Sequence, residues 1–338
     1  MPRIQSACVE QVSIPLIRPY ELSFAKLHSF ETLLLHLTFS NGEKSVGEVV
    51  PLTGYTDETV GVVLATVNEW LPRIINDSIE RIRKFTSSQI ASHPCASSLV
   101  LCAIDAFRMS DELGTHPNGS VPLVFAVSST NPKLAQTIDS AIARGYKTIK
   151  VKIGKDFTND VKALQILKLS MQSGVKIRFD ANQAFSYEEA AIFLHSVENT
   201  LRRSSVELVE QPLPLDQWEQ MAQLIRETKI PLMLDESIYS VEDVNRAAKI
   251  GCKWIKLKLC KQGGINELID LARHAKSRGL SVVIGNGVAT DISNLLELQV
   301  YNSFKYIFSG ASESNGYLKI KKNLVNNNLE CKLGYAIW

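Results

Sequence analysis

The sequence predicts a parallel β/α barrel closed on itself, preceded by a smaller α+β region, and three observations carry the prediction. From Val121 onward, PLVFAVS, TIKVKIG, VKIRFDAN, VELVEQP, IPLMLDES, WIKLKLC, SVVIGNG and YIFSG follow one another with helix signals in the gaps. Strand-then-helix alternation means a parallel sheet. Gly145, Gly174, Gly251 and Gly279 each stand where a helix would end, just ahead of the next strand. No glycine-rich dinucleotide fingerprint follows the first of these strands. An open doubly wound sheet is therefore disfavoured, and eight units point to a ring.

Residues 1 to about 115 have a different grammar, that of an α+β unit. HSFETLLLHLTFSNGEKSVGEVVP is two β-rich runs joined at Asn41-Gly42, a strong hairpin signal. Amphipathic helical stretches follow near residues 57–75 and 95–112. The turn-rich ELGTHPNGSVP marks a boundary, giving units of residues 1–115 and 116–318. In the second unit, Ser186-x-x-Glu189 and Asp216-x-x-Glu219 have capping-box spacing. The last segment, 319–338, ends in the apolar, aromatic GYAIW and is expected to pack back on the first unit.

Composition excludes several function classes. A net charge of +2 gives no electrostatic case for nucleic acid or an anionic membrane. No apolar run approaches a membrane span, and the first residues lack a signal-peptide core. The six cysteines are scattered without a C-x-x-C pair, which fits reduced thiols in the cytoplasm and argues against zinc. The histidines fall off the strand ends.

In β/α barrels chemistry sits at the carboxyl ends of the strands. Those ends carry Lys150 and Lys152, then Asp180, Glu210 and Asp235, then Lys258, successive positions being roughly one βα unit apart. Three convergent carboxylates repel one another and need a cation. Oxygen-only ligands supplied singly by different strands suit a hard divalent ion, Mg²⁺ before Mn²⁺. The lysines alternate with branched residues in both TIKVKIG and WIKLKLC, so Lys150 with Lys152, and Lys256 with Lys258, share a face. Pointing inward near a divalent cation and a second ammonium, a lysine is driven toward its neutral form and can accept a proton. A metal-held substrate carboxylate would stabilise the charge left when the α-proton departs.

This ordered set resembles the enolase superfamily, and within it the muconate-lactonizing subgroup. Its K-x-K motif matches Lys150-Val151-Lys152, its three metal carboxylates match Asp180, Glu210 and Asp235, and its opposing lysine matches Lys258 ahead of LCKQGGI. Superfamily sites of this kind pair a lysine or histidine base with Mg²⁺. The resemblance implies a modified TIM barrel, (β/α)₇β, with an N-terminal α+β capping domain. It implies Lys152 and Lys258 as an acid/base pair on opposite faces of a small carboxylate substrate, with Lys150 as an electrostatic partner. Asn182 and Glu236 would orient the ligands or Lys258. Cap loops would supply Tyr20, Phe24 and Tyr55 as aromatic walls, and Asn286 would be a substrate contact. Relatives that self-associate make a homo-oligomer open by analogy.

One departure bears on the substrate. Dipeptide epimerases of the subgroup carry an Asp-x-Asp on the eighth strand that captures an ammonium group. The corresponding YIFSGASESNGYL offers Ser309, Ser312 and Glu313 instead. IGNGVATDIS likewise lacks the Met-Leu-Glu-like text of muconate-lactonizing and succinylamino-acid enzymes, and Asp291 within it reads as a helix cap. The expected activity is racemisation or epimerisation of an amino-acid derivative or dipeptide. A muconate-type cycloisomerase, an o-succinylbenzoate synthase-like dehydratase and, more remotely, a non-catalytic binding module stay open.

Overall fold

The computed structural model describes residues 2–22, 26–53, 56–75, 77–112, 118–325 and 328–338. Phe24 and Tyr55 lie outside the described residues. The chain opens with β1 (Ile4–Glu21), β2 (Lys26–Phe39) and β3 (Lys44–Val49), an antiparallel sheet in that order. The turn between the second and third strands holds Gly42 at φ +87°, the conformation that the Asn-Gly pair favours. Leu33, Leu35, Leu37 and Phe39 alternate onto one face and are buried there. Against that face pack α1 (Val60–Ile74), α2 (Ile79–Ser88) and α3 (Pro94–Glu112). The middle helix was not expected. Its IERIRKFTSS is mostly polar, but Ser78 caps its start by accepting the Arg81 amide and Ile79 and Ile82 bury one edge.

After β4 (Ser120–Pro122) the alternation begins: β5 (Val124–Ser128), α4 (Leu134–Ala143), β6 (Thr148–Lys152), α5 (Phe157–Ser170), β7 (Lys176–Asp180) and α6 (Tyr187–Thr200). It continues through β8 (Val206–Glu210), α7 (Trp218–Glu227), β9 (Leu232–Leu234), α8 (Val241–Lys249), β10 (Trp254–Leu257), α9 (Leu259–Gln262), α10 (Ile265–Ser277), β11 (Ser281–Ile284) and α11 (Asp291–Ser303). The strands from β5 to β11 form one parallel sheet in sequence order. The eighth segment closes it through isolated bridges, Phe308 against Val282 on one side and Ser312 against Leu123 on the other. The fold is the expected curled α/β barrel, with its eighth strand reduced to two isolated bridges and the backbone hydrogen bonds around them.

Local signals hold unevenly. Ser186 and Glu189 form a complete capping box on α6. The one expected at Asp216 is absent: Gln217 precedes α7 and gives no side-chain cap, because the chain enters through the Pro214–Gln217 turn. Asp291 is not the cap of its helix either. Thr290 takes that place, while the Asp291 carboxylate accepts the amides of Leu324 and Val325.

The final segment divides. Ile320 bridges Leu16 of β1, and the Ile17 amide donates to the Lys319 carbonyl at 2.7 Å. Further on, β12 (Glu330–Lys332) pairs with β13 (Tyr335–Ile337), which pairs with β4 at the entry to the barrel. The first of these contacts ties the end of β1 to the segment that follows the eighth strand, and Tyr20 stands on that overhang. Among the described residues no helix is long and apolar enough to cross a membrane.

Candidate active site

Strand register sets the heights. Lys152 pairs with Asp180, and Asp180 with Glu210, so three charged ends stand side by side. Ile149 and Val151 are buried beneath the helices, and Lys150 is buried on the opposite, inner face at 3% exposure. Lys150, Lys152, Lys256 and Lys258 line one hollow of about 20 Å³ with Tyr20, Asn286, Glu313 and Asn315. Lys152 and Lys258 reach it from strands with three others between them, hence from across the ring.

The lysines and acids interlock. Lys150 Nζ lies 2.8 Å from Asp180 Oδ2 and 2.6 Å from Glu210 Oε2. Lys152 Nζ donates to Asp180 Oδ2 at 2.6 Å and to Asn182 Oδ1 at 2.7 Å. The Asn182 amide nitrogen in turn donates to Glu236 at 3.0 Å. Lys258 Nζ is 2.7 Å from Asp235 Oδ2, whose other oxygen accepts from Lys261 at 3.0 Å. Burial pushes Asp180 up, but Lys150, Lys152 and Lys256 outweigh it and hold the carboxyl at about 2. Burial likewise opposes Asp235, yet Lys256, Lys258 and Lys261 keep it well below the usual carboxylate range. Glu210 goes the other way, raised to about 7 by burial and by its neighbours Asp180 and Glu313.

Glu313 is brought to the interior. Its Oε2 accepts from Lys150 and Lys256, each at 2.6 Å, and its Oε1 faces Arg178 at 3.2 Å. Burial raises its carboxyl, and the three cations win, holding it well below the usual range. Ser309 is not brought to the hollow: its amide donates to the Val282 carbonyl, low on β11. Asn286 is at the rim, its Oδ1 occupied by the Val288 amide. Sequence reasoning put Lys256 on the face of Lys258 without giving it a role, and did not assign Lys261, Arg178 or Asn315 to the site. Alternation was the available signal for two of them, since Arg178 precedes Asp180 by two residues as Lys256 precedes Lys258.

The donor set fits a hard cation. Asp180, Glu210 and Asp235 offer oxygen alone, and Glu210 Oε2 and Asp235 Oδ2 are buried without an aligned hydrogen bond although ammonium groups stand beside them. A non-directional divalent ion satisfies such oxygens. As the side chains stand, no three acidic, imidazole or thiol groups among the described residues close on one point, the Lys150 ammonium lying between Asp180 and Glu210.

A barrel with carboxylates and lysines at its strand ends defines a class of proton-transferring α/β barrel proteins. Residues 133–337 match the enolase C-terminal domain-like family, and the chain belongs to that family. It is 26% identical over 286 residues to the L-amino acid-D/L-Glu epimerase of Francisella philomiragia, covering 81% of this chain and 80% of that protein. It is 25% identical over 328 residues to the N-succinyl-L-Arg/Lys racemase of Bacillus cereus, covering 93% and 88%. The dipeptide epimerase of Enterococcus faecalis, solved with Mg and the dipeptide L-Leu-L-Tyr, superposes with a TM-score of 0.87 at 21% identity over 99% of both chains.

Proposed function

We propose that this protein is a Mg²⁺-dependent racemase or epimerase that removes and returns the proton α to the carboxylate of an amino-acid derivative or dipeptide. The observation that carries this reading is the entry of Lys152 and Lys258 into one hollow from across the ring. Inverting a stereocentre requires a base on one face and an acid on the other, and two lysines supply both in either direction. With neutral Lys152, the proton on its side is taken at Nζ, and protonated Lys258 delivers one to the opposite face. The reverse reaction exchanges the roles. Lys150 and Lys152 share Asp180 Oδ2, at 2.8 Å and 2.6 Å, which sets the two side chains next to each other. Asn182 fixes the position of the Lys152 nitrogen, as Asp235 does for Lys258. Asp180, Glu210 and Asp235 would hold Mg²⁺, which supplies positive charge where the enolate develops. The epimerases and racemase among the relatives support the same reading.

The test is α-proton exchange in D₂O with Mg²⁺, followed by mass over a pool of N-acyl amino acids, dipeptides and hydroxy acids. One compound class should take up deuterium. Lys152→Ala should then exchange only one stereoisomer and Lys258→Ala only the other, each slowed by about 10²-fold or more on the lost side. Racemisation of both isomers at the native rate by either variant would end the two-base mechanism.

A further inference from the structure

Beside the catalytic hollow lies a second cavity of about 410 Å³. Tyr20, Ala126 and Asn315 line both, so the two adjoin. Its walls are apolar and aromatic, with Phe125 and Tyr146 in edge contact at 5.2 Å. Its charged lining residues are Arg18, Arg144 and Lys319, three cations and no carboxylate. Arg144 is spread over the two rings, 5.9 Å from the centre of Phe125 and 5.5 Å from that of Tyr146.

Lys319 is the informative member. Its ammonium donates to the Gly287 carbonyl at 2.8 Å and to Asn315 Oδ1 at 2.7 Å, and sits 4.5 Å over the Tyr20 ring. These partners are all neutral. Burial, and after it the nearby Lys152, pulls its pKa down to about 7, the signature of a cation short of counter-charge. A partly buried ammonium held in place by neutral acceptors is costly unless something anionic completes it.

We propose that this cavity seats the distal end of the substrate and that this end carries an anion of the carboxylate class. The inference rests on the racemase or epimerase reading for the reacting end alone. A substrate ammonium would meet three cations here, and the acceptor that could have received it, Asn315 Oδ1, is already taken by Lys319. The aromatic walls suit a short methylene chain between the two charged ends.

Three matched N-acyl amino acids test the idea, their acyl chains ending in a carboxylate, its primary amide or an ammonium group. In D₂O exchange with Mg²⁺ the carboxylate form should be favoured over the amide by about tenfold or more in kcat/KM, mainly through KM. That preference should collapse in Lys319→Met and persist in Lys319→Arg. Equal or better use of the amide or ammonium form by the native protein, or a preference untouched by Lys319→Met, overturns the proposal. If none of the three compounds exchanges, calorimetric titration with glutarate tests the cavity by itself. Saturable binding weakened in both Lys319→Met and the solvent-exposed Arg144→Met upholds it. No binding at millimolar glutarate, or binding indifferent to both substitutions, sinks it.

Discussion

Glu313 shows how much of one side chain's surroundings stays hidden in the text. The family resemblance offers it as a substrate contact; the structure adds that Lys150, Lys256 and Arg178 all converge on its two oxygens. Removing one partner of a buried ionic network leaves the others uncompensated. Glu313→Gln should therefore lose about 3–5 kcal/mol of stability in urea denaturation. Adding Lys256→Met should restore part of that loss, since it removes a cation that Glu313 had neutralised. Independent, additive losses would mean the two residues do not share a network. The residues of this network could be suspected from alternation, because Lys150, Arg178 and Lys256 each precede another inward charge by two positions. Their mutual contacts could not, because they join strands far apart in the chain.

At the level of elements, β3 lies so close to α3 that a methyl group at Gly47 would stand 2.3 Å from the Leu99 carbonyl oxygen and 2.8 Å from the Ala103 amide. Gly47→Ala should cost about 1–3 kcal/mol by overpacking, read as a lowered melting temperature. On α11, burial raises the Glu297 carboxyl from 4.5 to about 7 despite hydrogen bonds from Ser314 and the Asn286 amide. A carboxyl raised by folding favours the native state below its unfolded pKa, and that contribution is lost as pH rises through its folded value. Glu297→Gln should thus gain on the native protein by roughly 2 kcal/mol between pH 5 and pH 8. A constant stability difference across that range would show that Glu297 does not titrate within it. The elements themselves were largely legible: hairpin, barrel strands and the Ser186 box follow short-range rules. The helix α2 and the Asp216 turn were not, because a polar helix and a proline-led entry depend on what packs against them.

For the whole molecule, two polar locks join the antiparallel unit to the barrel. Glu48 on β3 accepts the Thr290 and Ser293 amides at the start of α11. Asp105 on α3 accepts the Ile265 amide and binds Arg83, which also pairs with Glu267 on α10. Asp105→Ala should cost about 3 kcal/mol and broaden or split an otherwise single unfolding transition. Under the proposed function, Mg²⁺ at about a hundred times its Kd should stabilise the native protein by about 2.7 kcal/mol. Asp235→Asn should weaken that response, and an unchanged Mg²⁺ titration would remove Asp235 from the ligand set.

The sequence by itself determined the closed barrel, its antiparallel companion and the ordered charges at the strand ends. Each is written in short-range periodicity, which fixes what a strand is and which way its residues alternate. The tertiary structure alone decided that Glu313 is neutralised inside the ring, that the eighth strand shrinks to two bridges, and that Lys319 reaches the barrel mouth. Those outcomes depend on charges and backbones brought together from distant parts of the chain, where burial, not spacing, sets the energy.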